Sequence, residues 1–100
     1  VREYRRYLLI RADLRLKDVP LGAPLVDKVW HAHILHLEDY EQMCLAAFGR
    51  LQYHRPYPDR EWERRKLEYA EVTLGTYTAR FGVPDPLYWP HPCDTARAAA

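Results

Sequence analysis

Asp27, His31, His33 and His54, with the thiols Cys44 and Cys93, are the side chains of this sequence whose types could hold a metal ion or move protons. Asp27 and His31 stand four apart, so on a helix they share one face and their side chains meet. Such a pair can chelate an ion, or the carboxylate can accept the ring N–H and orient the imidazole. His31 and His33 stand two apart, which on a helix turns them about 200° from each other. One straight helix therefore cannot aim both at a single ion. The alternative is that His33 turns toward the side of Tyr40 and Cys44, where a Tyr hydroxyl or a backbone carbonyl can satisfy its ring.

His54 lies in a stretch, residues 51–58, that carries Pro56 and Pro58 and so leaves the preceding helix and runs back over it. That return brings a third ligand within reach. Asp27, His31 and His54 would make a facial set of two imidazoles and one carboxylate, suited to zinc, or to iron with positions open for water and substrate. A closed zinc site needs a fourth ligand, for which His33, Cys44 and Cys93 are the candidates. Trp30, Tyr40 and Cys44 are expected to line the pocket beside the ion. Against a metal stands the reading in which hydrogen bonds alone satisfy these histidines. The spacing matches neither paired Cys-x-x-Cys nor His-Glu-x-x-His, so the case rests on clustering rather than on a signature. His36 and His91 read as surface residues, and Cys44 as a small core hydrophobe. The sequence has neither a Gly-rich phosphate loop nor a Ser nucleophile elbow.

The elements that must position these groups read as all-α, a small bundle of about three main helices. The first spans residues 2–17, where Tyr4, Tyr7, Leu8, Ile10 and Leu14 recur at helical spacing. Pro20, Gly22 and Pro24 mark a loop, with Pro24 suited to the first turn of the second helix, 24–48. Its apolar seam is Val29, Trp30, His33, Leu37, Tyr40, Cys44 and Phe48, and Glu38 and Asp39 could open a new helix, breaking the rod near Leu37. Gly49 terminates it. Asp59 is a good N-cap for the third helix, 59–81, whose expected seam is Leu67, Ala70, Leu74, Tyr77 and Phe81 and whose stop is Gly82-Val83-Pro84. Gly75 within it costs about 1 kcal/mol against Ala, which points to a close backbone approach or a bend. A Pro- and aromatic-rich irregular segment follows, anchored by Tyr88 and Trp89.

One hundred residues, 48% hydrophobic, suffice for one core, so residues 1–95 read as one helical domain and 96–100 as a frayed tail. A formal charge of +1 argues against bulk nucleic-acid binding, and the arginines of the first helix read as its solvated face. Two cysteines cannot make a disulfide framework, and no apolar run reaches the length of a bilayer span or a signal-peptide core. These features lead us to expect a cytoplasmic protein with no membrane contact.

The segment Val26-Asp27-Lys28-Val29-Trp30-His31-Ala32-His33-Ile34-Leu35, followed by Tyr40, Phe48-Gly49-Arg50 and His54, resembles the glycine-rich domain-containing protein-like family of plants and small bacterial proteins. Trp62, Phe81-Gly82 and Tyr88-Trp89 extend the resemblance to about residues 24–89. It implies a helical domain of poorly defined activity, with plant members tied to stress and developmental responses. It implies Asp27, Trp30, His31, His33, Tyr40 and His54 as the site.

Two readings follow from the sequence. In the first, His31, His54, Asp27 and His33 bind a transition metal, zinc or iron, that could polarise a small-molecule substrate or activate water. In the second, the domain is non-enzymatic: the histidines form a structural hydrogen-bond network, and aromatics of residues 53–62 anchor a protein partner. A third variant keeps His31 or His54 as a metal-free acid–base group.

Overall fold

A computed structural model describes residues 1–15, 19–54 and 59–92. Among them the chain is all-helical, in the order α1 (Arg2–Leu14), α2 (Pro24–Leu35), α3 (Leu37–Phe48), α4 (Asp59–Glu68), a π-helical stretch (Tyr69–Leu74) and α5 (Gly75–Phe81). The last three run on without a break. Helix α1 packs between α2 and α5, and α3 folds back on α2.

Each boundary has a local cause. Helix α1 ends at Leu14 rather than at residue 17, because Arg15 turns left-handed (φ 53°) and its N–H bonds back to the Arg11 carbonyl. Pro24 occupies the first turn of α2, where the missing N–H costs nothing. The second rod breaks at His36, whose backbone (φ −92°, ψ 69°) leaves the helical region between α2 and α3. Its carbonyl then accepts the Tyr40 N–H that starts α3. Gly49 (φ 77°) closes α3, and Gly82 (φ 91°) closes α5.

The core is aromatic: Tyr4, Tyr7, Trp30, Tyr40, Tyr69, Tyr77 and Trp89 are all buried, with Ile10, Val19, Val26 and Cys44 filling between them. Their polar tips are answered one by one. Tyr7 donates to the Val19 carbonyl, Thr73 to that of Pro20 (2.6 Å) and Tyr69 to that of Pro90 (3.1 Å), tying the loops to the bundle. Glu3 is buried and accepts from Tyr77 Oη (2.6 Å) and Trp89 Nε1 (2.9 Å), so one carboxylate joins α1, α5 and the C-terminal segment. Burial alone would raise the Glu3 carboxyl, but the hydrogen bonds from Tyr77, Trp89 and Arg2 and the charge of Arg6 together hold it below its ordinary value.

Three sequence expectations are corrected here. Leu67 is 69% exposed rather than on the seam, and the buried line is Tyr69, Thr73 and Tyr77. The cause is the π-helical stretch, whose i→i+5 bonding shifts the register that an uninterrupted 3.6-residue repeat would keep. Of the two readings of Gly75, the close backbone approach is corrected, since nothing lies near it; it is where α-helical bonding resumes, and the glycine under a ring is Gly22, beneath the Trp62 indole. The arginines of α1 are not all on a solvated face, since Arg11 is 2% exposed and Arg6 is half-buried against Tyr77 and Phe81.

Candidate functional site

The site sits where α2 meets residues 51–54. Asp27 in the first turn of α2 and His31 one turn later bring Nδ1 of His31 to 3.3 Å from Asp27 Oδ2, as their spacing requires. His54 comes from the segment after α3, and its Nε2 donates to the other carboxylate oxygen, Oδ1, at 2.5 Å. One carboxylate thus holds two imidazoles. Among the described residues, Asp27, His31 and His54 are the group whose metal-ligating atoms all lie within 4.8 Å of one another.

Segment 51–54 is fixed from below. Tyr40 on α3 donates to the Gln52 carbonyl (2.6 Å) and accepts from Trp30 Nε1 (3.0 Å), so α2, α3 and the segment share one hydroxyl. The Gln52 side chain accepts from Arg11 (3.0 Å). Burial first, and then Cys44 beside it, push the Tyr40 phenol up to about 12, which keeps it a donor.

The rings form a column. The Arg11 guanidinium lies 5.1 Å from the Trp30 ring centre, Trp30 stacks on His54 (4.1 Å, 19°), and His54 stacks on His31 (4.4 Å, 11°). The column runs from a buried cation to an exposed imidazole. The His54 side chain is 12% exposed, Asp27 31% and His31 59%, so the outermost member alone has room to swing.

The other residues named from the sequence are not members of the Asp27 group. His33 turns away from His31, as two positions on a helix must, and its Nδ1 shares a hydrogen bond with Tyr4 Oη at 2.7 Å. It also meets the edge of Tyr40, and it is not in the Asp27 group. Trp30, Tyr40 and Cys44 belong to the core beneath the site rather than to the wall of an open pocket. His36 and His91 are exposed, and Cys93 lies outside the described residues. The aromatic anchors expected along 53–62 divide: Tyr53 is 70% exposed, Trp62 packs on Gly22 and Tyr69, and Tyr57 lies outside the described residues.

Sequence reasoning missed Arg11 and Gln52, because an arginine with charged neighbours on an amphipathic helix carries no mark of burial. The signal available was its i+4 spacing from Tyr7, whose hydroxyl accepts from it at 3.2 Å.

Residues 1–65 match the family described as UCP032817-like. The chain belongs to that family. The glycine-rich domain-containing protein-like resemblance is thereby corrected: it rested on residues 24–89, whereas the UCP032817-like match begins with α1 and ends within α4. The UCP032817-like portion contains Asp27, His31, His54, Arg11 and Gln52 together, so it includes both the ring column and the helix beneath it. The chain matches no curated protein and no solved structure. No described helix is long and apolar enough to cross a membrane.

Proposed function

We propose that Asp27, His31 and His54 bind a transition-metal ion, zinc or iron, with positions left for water or a small ligand. The supporting observation is the convergence of two imidazoles from separate segments on one partly exposed carboxylate. The donor types suit zinc and ferrous iron alike, and three protein ligands are the number that a site with an open position uses.

The parallel rings set the terms of capture. Lone pairs of two stacked imidazoles point side by side, so an ion cannot lie in both ring planes at once. His31, exposed and at the end of the column, would swing out, while His54 stays clamped by Trp30 and would offer Nε2 to the ion in the tautomer that carries its proton on Nδ1. Because the ligating form of each histidine is the neutral imidazole, protons compete with the ion and binding weakens as the pH falls. At an open position the ion would polarise a bound group or lower the pKa of its water.

The test is metal analysis of the untagged protein, with a cobalt titration read by its visible bands, for wild type, His31→Ala and His54→Ala. Stoichiometric binding by wild type alone supports the reading. A folded wild type that takes up no cobalt or zinc rejects it. The second reading, a metal-free network that pins segment 51–54 to α2, is favoured by the 2.5 Å Asp27–His54 bond. It calls for thermal stability that is indifferent to chelator.

A further inference from the structure

Helices α1 and α3 carry matching outer faces. On α1, Arg2, Arg5 and Leu9 stand three and then four positions apart, and on α3, Glu38, Glu41 and Leu45 repeat that spacing with the opposite charge. All six are exposed, Leu9 by 43% and Leu45 by 53%. Steps of three and four keep to one side of a helix, so each helix presents two like charges followed by a leucine. Every member of the α1 set stands 36 positions before its counterpart on α3.

The fold keeps the same register. Tyr4 in α1 and Tyr40 in α3, also 36 apart, both meet the His33 ring. Ala12 and Phe48, 36 apart again, line one cavity near the other ends of the two helices. Helices α1 and α3 therefore run in the same direction, each residue of α1 level with the one 36 positions later. A two-fold axis parallel to both lays each α1 along the α3 of a second copy with direction and level preserved. Arg2 then meets Glu38, Arg5 meets Glu41 and Leu9 meets Leu45, twice over. Exposed charges on a helix have an ordinary explanation as its wet face, and single exposed leucines need none. The signs on α3 go beyond it. Leu37–Phe48 carries Glu38, Asp39 and Glu41 but no Lys or Arg, whereas a solvated helix gains from mixing both signs. The helix dipole accounts for Glu38 and Asp39 in the first turn, and its effect has fallen off at Glu41.

We propose that this chain forms a closed two-fold dimer, with α1 of each copy on α3 of the other. The arrangement satisfies both faces of both copies, so growth stops at two. Each face is about 18 Å long and 10 Å wide, which puts the interface at the small end of the specific range. The dimer is therefore reversible, and because ion pairs orient it, it weakens with added salt. Arg2 keeps its Nε on Glu3, so Arg5 with Glu41 is the pair that decides the partner. Asp27, His31 and His54 lie on neither face, and the dimer stands whether or not they take a metal.

The experiment is sedimentation of the full chain from about 10 μM to about 1 mM, a range that spans weak association, at low and high salt and with chelator present so that no shared metal joins two copies. A dimer that grows with concentration at low salt and recedes at high salt is the expected result. Arg5→Glu and Glu41→Arg, both at exposed positions and checked for folding by their thermal melts, should each weaken self-association at least about tenfold. An equimolar mixture of the two variants restores opposite charges at both contacts and should dimerise as wild type does. Wild type that stays monomeric across the range, either variant dimerising as wild type does, a mixture that stays monomeric, or assembly that continues past two copies would overturn the proposal.

Discussion

The His54 imidazole lies nearly parallel to the Trp30 indole at 4.1 Å and donates to Asp27 from the same position, so the residue that would ligate an ion also holds segment 51–54 onto α2. His31 has no such double duty, being 59% exposed at the end of the column. The two histidines should therefore separate in mutants. His31→Ala should lose metal binding while unfolding within about 0.5 kcal/mol of wild type, as surface changes do. His54→Ala should lose binding and about 2 kcal/mol of stability, from the stack and the charge-assisted bond together. His54→Phe keeps the stack and should recover part of that loss without any binding. Denaturant unfolding beside a cobalt titration reads both quantities.

Glu3 predicts an acid limb. Its carboxyl titrates below the ordinary value when folded and at the ordinary value when unfolded, so the unfolded chain takes up the proton first. The stability it contributes is whole above the ordinary carboxylate pKa and is lost as the pH falls through the lower folded value. Glu3→Gln keeps the shape but loses the charge that Tyr77, Trp89 and Arg2 address. It should cost about 1–3 kcal/mol at neutral pH and flatten the dependence of stability on pH below 5. Chemical denaturation between pH 3 and pH 7 measures it.

The parts of this structure that sequence could supply are those set by local chemistry. Pro24, Gly49 and Gly82 fix helix ends through backbone conformation alone, and the break beside Leu37 followed from the acidic pair Glu38 and Asp39. The Asp27–His31 contact followed from four-residue spacing, and the partnering of His33 by a Tyr hydroxyl from its opposite direction on the helix. What could not be read depends on partners distant in the chain. The π-helical stretch moves Tyr69 and Thr73 inward because they reach Pro90 and Pro20, and nothing near Thr73 in sequence announces a carbonyl 53 residues away. Arg11 is buried because Trp30 and Gln52 come to meet it. The family was misread for a related reason: the Trp-His-x-His stretch drew attention to α2, while the matching region begins at the α1 on which that helix rests.

Two glycines should respond oppositely to alanine. Gly22 lies under the Trp62 ring so closely that an added Cβ would overlap the indole, which in turn packs on Tyr69. Gly22→Ala should cost about 1–3 kcal/mol through displacement of that ring. Gly75 has helical backbone angles and open space where a Cβ would stand. Gly75→Ala should stabilise by about 0.5–1 kcal/mol, because the unfolded chain loses freedom that the folded one does not use. Thermal melts of the two variants give opposite signs, and a shift of the same sign in both would contradict this account of the π-to-α junction.

Tyr40 predicts the alkaline limb and the cost of opening the centre of the site. Its hydroxyl takes the Trp30 N–H and gives its proton to the Gln52 carbonyl, and burial holds its phenol at about 12 against an ordinary value of 10.0. The unfolded phenol ionises first, so this contribution to stability is intact below pH 10 and declines as the pH rises toward 12. Tyr40→Phe removes the titrating group and leaves a buried indole N–H and a carbonyl without their hydroxyl. The variant should therefore lose about 1–3 kcal/mol at neutral pH yet show a shallower loss above pH 10. Because Gln52 is two residues from His54, the same variant should also release segment 51–54 and weaken cobalt binding, although Tyr40 is not in the Asp27 group. A Tyr40→Phe protein that is destabilised but binds cobalt as wild type does would show that Trp30 and Asp27 suffice to hold His54 in place.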